Sequence, residues 1–494
     1  MGIVARQGIK TSIVSYLGVA LGAVNTLFLY PKFLDTEEIG LLTLLTNVVL
    51  IIAPIAMLGV SGVLVKYYPF FKDDKEALQQ FQFFVLLIPI TGYALAVSIL
   101  LLSNGLFITH FEANSPLFLT YLYTLVPFCL ILLFRNTAEA YSRVLLRVAV
   151  PKVFKEVAWR ILISALVIAY GYYSFSQELL VYGYIGAFLI NAILLAYYVY
   201  KLKPFRISLG LSKLGRPFIK EALIYGAFII LSGFGATLST KIDSWMIASL
   251  LDLSYTGIYS TALYIGLAIE MPRRAIVLIS LPLIAQMMKA GKLSEVATLY
   301  SKSALNQFII GGLLLTLVWV NLDDLFAIMP KGELFASGKY VVLFIGLGVL
   351  FDMATGVNSE IILMSKFYKL NLAILGTLIA LTVLTNFLFI PIYGITGAAM
   401  ATALSIFFYN VVKFAVVWAK LGIQPFSWEQ FKAALLILGI FGLGLVLPDA
   451  GNALLNIGYK SAILIGLFVL ILLKTALSPD INEMVRNVMA KLKR

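Results

Sequence analysis

Residues 11–30 read TSIVSYLGVALGAVNTLFLY, an uncharged stretch bounded by Lys10 and Lys32. About 20 mostly apolar residues in a helix cover the hydrocarbon core of a bilayer, so this stretch predicts a membrane-crossing helix. The same reading repeats almost to the end of the chain. Apolar runs fall at 41–65, 81–102, 117–134, 156–173, 179–200, 221–246, 256–280, 304–322, 338–364, 371–390, 396–419, 431–448 and 459–477, about fourteen spans in all. Composition agrees: of 494 residues, 61% are apolar and 12% charged, against roughly 25% charged in a soluble domain. Mean hydropathy is +0.98. The sequence therefore predicts an all-α, polytopic membrane protein. Transport, or chemistry on lipids, are the function classes left.

The net charge of +13 is spread in short basic clusters between the apolar runs. With the N-terminus in the cytoplasm, 32 of 37 Lys and Arg fall on the inner side or at inner span ends. The other five are Lys32, Lys241, Lys331, Lys339 and Lys460. Such a split follows the positive-inside rule, and one missed span would scramble every later loop. It places both termini in the cytoplasm. It also marks the basic residues as orientation signals rather than a groove for nucleic acid. One cysteine, Cys129, and one histidine, His110, build neither a disulfide framework nor a Cys/His metal site. We expect Cys129 to be a small buried hydrophobe and His110 to sit in a solvated loop. The first run is too long for a signal peptide and lacks a small-residue cleavage site after it. Arg6 stands where a myristoylation signal wants Ser or Thr.

Two segments outside the spans have a character of their own. Residues 201–220 carry Lys201, Lys203, Arg206, Lys213, Arg216 and Lys220 with no acid before Glu221. This basic linker is expected against anionic lipid heads, and it divides the chain near its middle. In the tail, 478–494, Asp480 is the expected N-cap with Glu483 three residues on. Ile481, Met484, Val485, Val488 and Leu492 share one helical face, opposite Arg486, Lys491, Lys493 and Arg494. That pattern predicts a cytoplasmic amphipathic helix on the membrane surface.

The chain repeats itself. Leu34-Asp35 with Gly40-Leu41 returns as Leu251-Asp252 with Gly257-Ile258, 217 residues later. Tyr182-Gly183-Tyr184-Ile185-Gly186-Ala187 returns as Tyr393-Gly394-Ile395-Thr396-Gly397-Ala398 at an offset of 211. Two echoes at nearly one spacing indicate six spans duplicated in parallel, with two spans added. That architecture suits two lobes rocking about a central site.

At these residues the chain resembles the Wzx-type polysaccharide flippases of the MOP superfamily, which also holds the MATE exporters and lipid II flippases. The matching pieces are Tyr30-Pro31-Lys32-Phe33-Leu34 through Glu38-Ile39-Gly40-Leu41, Lys241-Ile242-Asp243 through Gly257-Ile258-Tyr259-Ser260-Thr261-Ala262, and Ile390-Pro391-Ile392-Tyr393-Gly394 through Ala398-Ala399 with Ala401-Thr402. The resemblance implies a V of two pseudo-symmetric six-helix lobes, 1–200 and 221–420, joined by the linker 201–220. Two extra helices follow in 421–477. It implies export of undecaprenyl-pyrophosphate-linked oligosaccharide from the inner to the outer leaflet of a bacterial inner membrane, for polysaccharide or lipopolysaccharide (O-antigen) synthesis. The cycle would be driven by H+ or Na+. Its partners would be the lipid-linked oligosaccharide, the phospholipid bilayer and polysaccharide polymerase machinery, with no other cofactor and no nucleic acid.

A charged side chain near mid-bilayer costs on the order of 3 kcal/mol and needs a hydrated cavity or a partner. The acids of the first six spans lie in loops or at span ends. In the second half, Lys241 and Asp243 fall in span 7, Glu270 in span 8, Asp352 and Glu360 in span 10, and Lys413 in span 12. Lys241 and Asp243, two apart, cannot share a helical face. Snorkelling or an internal ion pair explains them, as does a cation- or proton-binding role for Asp243. Glu270 and Arg274 are spaced to pair with each other, and Pro272 is expected to kink their helix. Asp352 and Glu360, eight apart, fall on one face of span 10 as contacts between helices or as coupling groups. By analogy with the sodium site of the lipid II branch, Asp243, Thr382, Asn386 and Thr402 are the corresponding positions. Asn386 stands where that branch has a second carboxylate.

Recruiting a pyrophosphate head requires cations at the inner mouth, Arg above all. Lys66, Arg135, Arg143, Arg273, Arg274 and Lys413 stand at inner span ends, where orientation alone also explains each. A MATE-type cation or drug antiporter fits the uncharged first span poorly, and a lipid II flippase would bring basic residues there. An enzyme is not expected: the outer loops are short, the longest near 321–337, and no nucleophile–base pair or metal motif appears.

Overall fold

The computed structural model describes residues 3–203 and 206–492, leaving aside the side chains at 3–10, 12, 231, 232, 236 and 488–492. Pro204 and Phe205 of the linker, and Val488, Lys491, Leu492, Lys493 and Arg494 of the expected tail face, thus fall outside what is described. Every regular element among the described residues is helical.

Proline and asparagine decide how the first span is built. Helix Ile3–Val24 opens into a π turn, Asn25–Leu29, before Tyr30–Phe33. Pro31 offers no N–H and its ring presses on the carbonyl four residues back; the wider turn takes up that mismatch. Asn25 is buried there, its Nδ2 donating to Arg160 O at 3.2 Å and its Oδ1 accepting from Ser164 Oγ at 2.8 Å. A second π turn, Phe154–Ala158, has its Phe154 carbonyl satisfied by Asn191 Nδ2 at 2.8 Å.

Among the described residues, eleven helices are long and apolar enough to cross a membrane, or twelve if Lys339–Ala354 and Asn358–Met364, bent by 51°, form one span. The expected fourteen differ from this number at identifiable joints, where one helix carries two spans or one span is divided between elements. Spans 371–390 and 396–419 run together in Tyr368–Leu421, broken at Gly394 (φ 58, ψ −139). Span 156–173 is shared between a π turn and Trp159–Tyr173, only 15 residues long. The chain is a multi-pass membrane protein. His110 is exposed as expected, but it lies in helix Asn104–Phe111 with its ring against Leu106 O, not in a loop. Cys129 is buried.

The described chain forms two compact units, Met1–Gly257 and Ile258–Arg494. In the first, helix Thr36–Ala56 is the hub. Asp35 caps it, with Glu38 Oε2 accepting from the Asp35 N–H at 3.0 Å. It packs along Arg216–Leu250, which is 35 residues, about 52 Å, long. Two glycine contacts bring the start of Thr36–Ala56 against residues 253–257, just beyond that long helix. A methyl group on Gly40 would collide with the Leu253 carbonyl, and one on Gly257 with the Thr36 carbonyl. The repeat-related glycines therefore face each other reciprocally. Further along, Gly59 (φ 71) abuts the Gly226 backbone, and a methyl on Gly226 would lie 2.6 Å from Leu58 O.

In the second unit, Lys339–Ala354 packs against Tyr368–Leu421 and Leu293–Val320. The last two long helices, Trp428–Val446 and Ala453–Thr475, close over Leu305 and Ile309 with Ile437, Leu464 and Phe468. Residues 321–337 hold two short helices, Leu322–Ile328 and Gly332–Ala336. Asp324 there receives Lys460 Nζ at 2.9 Å and Asn456 Nδ2 at 2.7 Å, and Asn456 also reaches Asp449 at 2.6 Å. The Asn456 amide, then the Gly451 N–H, hold the loop carboxyl of Asp449 below its ordinary range.

The tail helix, Pro479–Leu492, departs from expectation in two ways. Its cap is Ser478, whose Oγ accepts from Ile481 N at 3.3 Å. Asp480 instead binds Asn306 at 3.1 Å and Lys302 at 3.6 Å. Ile481 and Val485 then pack into the second unit rather than facing lipid, while Met484 stays exposed.

Gly40→Ala overpacks a backbone contact, a class of change that costs about 1–3 kcal/mol. Thermal unfolding of purified protein should show a lowered midpoint. Gly105→Ala, where nothing lies within 4 Å, should leave the midpoint unchanged.

Candidate functional site

Beside the Thr36–Ala56 and Arg216–Leu250 pair lies a cavity of about 490 Å³, lined among others by Pro54, Ser61, Asn136, Thr237 and Lys241. Lys241 has no ion pair or hydrogen bond to any described residue. It sits about 14 Å of helix from Leu250, well inside a hydrocarbon layer about 30 Å thick. An ammonium held there needs water or an anion. Asp243, two residues on, is buried and has interactions of its own, and it forms no ion pair with Lys241.

The second unit gathers charge around Asp352. Its Oδ2 lies 2.7 Å from Arg273 Nε and its Oδ1 3.5 Å from Lys413 Nζ. The Arg273 Nε–H is not aligned for a hydrogen bond, so that contact is purely ionic. Lys413, with a side chain only 1% exposed, also donates to Ser359 Oγ at 2.9 Å and lies 4.1 Å from the Tyr409 ring centre. Glu360 acts electrostatically on both cations, and its buried Oε2 has no hydrogen-bond partner among the described residues.

Asp352 and Glu360 do not share one continuous helical face as their spacing suggests. Gly356 (φ 65) stands between them, and the helix bends by 51° across Thr355–Val357. Asn410 steadies the bend, its Oδ1 accepting from Thr355 Oγ1 at 2.9 Å and Asn358 Nδ2 at 3.2 Å.

The remaining predicted residues are dispersed. Lys66 pairs with Glu221 at 3.4 Å beside the Tyr67 and Tyr225 rings. Arg135 is buried, 5.7 Å from the Phe188 ring centre. Arg143 is exposed. Arg274 pairs with Glu270 at 2.9 Å, just after a 3-10 turn, Ala268–Glu270, that breaks the helix before Pro272. Asp243 belongs to the first unit, and Thr382, Asn386 and Thr402 to the second. The Thr382 hydroxyl donates to Leu378 O at 2.9 Å. Sequence reading missed Ser359, Tyr409 and Asn136. Tyr409 was findable, one helical turn before Lys413. Ser359 and Asn136 reach their places only through the bend and through packing between distant helices.

No family model and no curated protein matches the chain. Solved structures do. Lipid II flippase MurJ, in an inward closed conformation, superposes with a TM-score of 0.73 at 12% identity, over 95% of this chain and 99% of that one. The chain shares the fold of that protein. A multidrug resistance MATE family transporter of the MOP superfamily, inward-facing, gives 0.65 at 15% identity over 84% of this chain and 98% of that one. A MOP superfamily transporter from Pyrococcus furiosus, described as having a binding pocket of reversed polarity, gives 0.55 at 15% over 84% and 95%. These neighbours are described as a flippase and as transporters.

The two ion pairs near Arg273 and Arg274 should respond differently to neutralisation. Arg274–Glu270 is 60% exposed on the arginine side, where pairs contribute about 0–1 kcal/mol. Asp352→Asn strands two cations, of which Lys413 is fully buried, and such breaks cost about 3–5 kcal/mol. Thermal unfolding should show a large drop for Asp352→Asn and little change for Glu270→Gln.

Proposed function

We propose that this chain is a flippase for an oligosaccharide carried on a polyprenyl pyrophosphate, moving it from the inner to the outer leaflet of a bacterial inner membrane. The observation that carries this reading is Lys241: an ammonium facing a cavity inside a membrane-spanning unit with no protein partner among the described residues. A phosphate oxyanion supplies that partner. Arg273 and Lys413, both turned to one carboxylate, offer a second cationic pair that a headgroup takes over when Asp352 lets go. Lys66, Arg135, Arg143 and Arg274 act earlier, drawing the anionic head to the inner mouth. Asp352, Glu360, Glu270 and Asp243, with Thr382, Asn386 and Thr402, are the proposed coupling groups for H+ or Na+.

Export of organic cations in the same fold is the competing function. The residues lining the Lys241 cavity include no acid, so a cationic drug meets repulsion there. Transport of lipid II itself is the other reading within the fold, disfavoured by the uncharged residues 11–30. The distribution of Lys and Arg supports cytoplasmic termini, and polymerase machinery would receive the product on the opposite face. The Asp-capped, glycine-faced repeats at Gly40 and Gly257 support two six-span lobes, 1–200 and 221–420, moving about a shared axis.

Depleting the protein should leave lipid-linked glycan on the cytoplasmic leaflet, shielded from an impermeant oxidant, while its synthesis continues. Normal surface glycan in a clean deletion, with no redundant exporter, overturns the reading. Lys241→Gln should slow export roughly tenfold, the loss expected for one charge-assisted hydrogen bond, and Lys241→Arg should restore much of it. Drug efflux that depends on the protein, with glycan export intact, supports the cation exporter instead.

A further inference from the structure

The break in span 10 lies between Lys339–Ala354 and Asn358–Met364 and is gripped from two neighbouring helices. Asn410 and Lys413, one turn apart on Tyr368–Leu421, each reach both sides of it. Lys413 Nζ lies 3.5 Å from Asp352 Oδ1 before the bend and donates to Ser359 Oγ at 2.9 Å after it. Asn410 does the same with neutral groups, accepting from Thr355 Oγ1 at 2.9 Å and from Asn358 Nδ2 at 3.2 Å. From Trp428–Val446, the buried Gln430 donates its Nε2 to Ala354 O at 2.8 Å. In an unbroken helix that carbonyl would accept from the Asn358 N–H.

The bent form leaves polar groups unsatisfied. The N–H groups of Val357, Asn358, Ser359 and Glu360 have no backbone acceptor among the described residues. A continuous helix would give them the carbonyls of Met353, Ala354, Thr355 and Gly356, and lipid offers no replacement. Gln307 adds to the imbalance. It is fully buried, and neither its Oε1 nor its Nε2 has a hydrogen-bond partner among the described residues. It stands on Leu293–Val320 between Ala304, against which Gly356 packs, and Gly311, which meets Met353 and Leu350. Buried polar groups are nearly always paired, so this segment fits its bent state incompletely. Gly356, at φ 65, carries no side chain that would stop it from turning to helical angles.

We propose that this break is a reversible hinge, latched bent by Lys413, and that an oxyanion seated at Arg273 and Lys413 lets it straighten. The inference rests on the flippase reading for its anion and adds how loading becomes movement. Asp352 and Arg273 keep 20% and 13% of their side chains exposed, against 1% for Lys413. An anion therefore meets Arg273 first and draws the lysine from Asp352 afterwards. With that bridge undone, only the neutral hydrogen bonds of Asn410 and Gln430 oppose the four backbone bonds of a continuous helix. Ser359, Asn410 and Gln430 are positioning residues of the hinge: they set its angle and touch no substrate.

The test uses the full chain in nanodiscs of zwitterionic phospholipid, with Cys129→Ala and spin labels introduced through Tyr340→Cys and Leu363→Cys. Both labelled positions are exposed, one on each arm of the bend. Straightening a bend of 51° between them lengthens their separation by about 3 Å. The labelled chain should show the shorter distance alone and the longer one with polyprenyl monophosphate. Lys413→Gln should give the longer distance without any lipid. Where that variant does not fold, Gln430→Leu, which frees the Ala354 carbonyl, should shift the distance in the same direction. Amide hydrogen exchange at 357–360 should slow together with the lengthening, as those N–H groups gain acceptors. A folded Lys413→Gln or Gln430→Leu chain that keeps the shorter distance, with exchange unchanged, overturns the proposal. Lengthening in these variants and with inorganic pyrophosphate, but not with polyprenyl monophosphate, keeps the hinge and removes the flippase reading. Glycan export that depends on the protein, with a distance that no variant or ligand moves, does the reverse.

Discussion

Helices in a bilayer gain little from hiding apolar surface, because lipid is as apolar as the core they would form. What binds them is close fit. In the first unit that fit depends on side chains that are missing. Gly40 against Leu253, Gly257 against Thr36 and Gly59 against Gly226 let backbones meet where any other residue would hold them apart. The long helix Arg216–Leu250 packs along Thr36–Ala56 between those contacts. The cavity that holds Lys241 is walled by this helix pair.

Electrostatics in the two units follow opposite plans. The first holds Lys241 beside a cavity with no ion pair or hydrogen bond to any described residue, a costly arrangement in hydrocarbon. The second satisfies its cations internally. Asp352 serves both Arg273 and Lys413, and Ser359 and Tyr409 complete the setting of the lysine. In the proposed function, one site receives an anion and the other exchanges one for another. A transporter that loads and releases the same charged head can use such a contrast.

Much of this was legible in the chain before folding. The all-helical, membrane-spanning character follows from apolar runs such as 11–30, and the paired Asp-capped glycine motifs marked a contact that the folded protein makes reciprocal. Pro272 announced the break before its helix, and the spacing of Glu270 and Arg274 announced their pairing. What escaped reading depends on backbone events that leave weak traces. The π turns at Asn25–Leu29 and Phe154–Ala158 look like ordinary helix in sequence. Gly356 sends the helix off by 51° and parts Asp352 from Glu360, although a helical wheel aligns them. Spans 371–390 and 396–419 were legible as two, although a kink at Gly394 rather than a polar loop parts them within Tyr368–Leu421. The tail misled because one apolar face fits a lipid surface and a protein surface equally well. Only the partners of Ser478 and Asp480 distinguish the two.

Those partners give the C-terminal hairpin a role beyond ornament. Trp428–Val446 and Ala453–Thr475 are pinned at one end by Asp324, Lys460 and Asn456, and at the other through Ser478 and Asp480 to Lys302 and Asn306. Between those pins they blanket the flank of Leu293–Val320. A chain trimmed before residue 428 would leave Asp324 and Asn306 without these ligands and expose Leu305 and Ile309 to whatever surrounds them. The appended pair thus works as insulation, a jacket of low-dielectric material that shields the polar fittings of the second unit from the solvent of lipid tails.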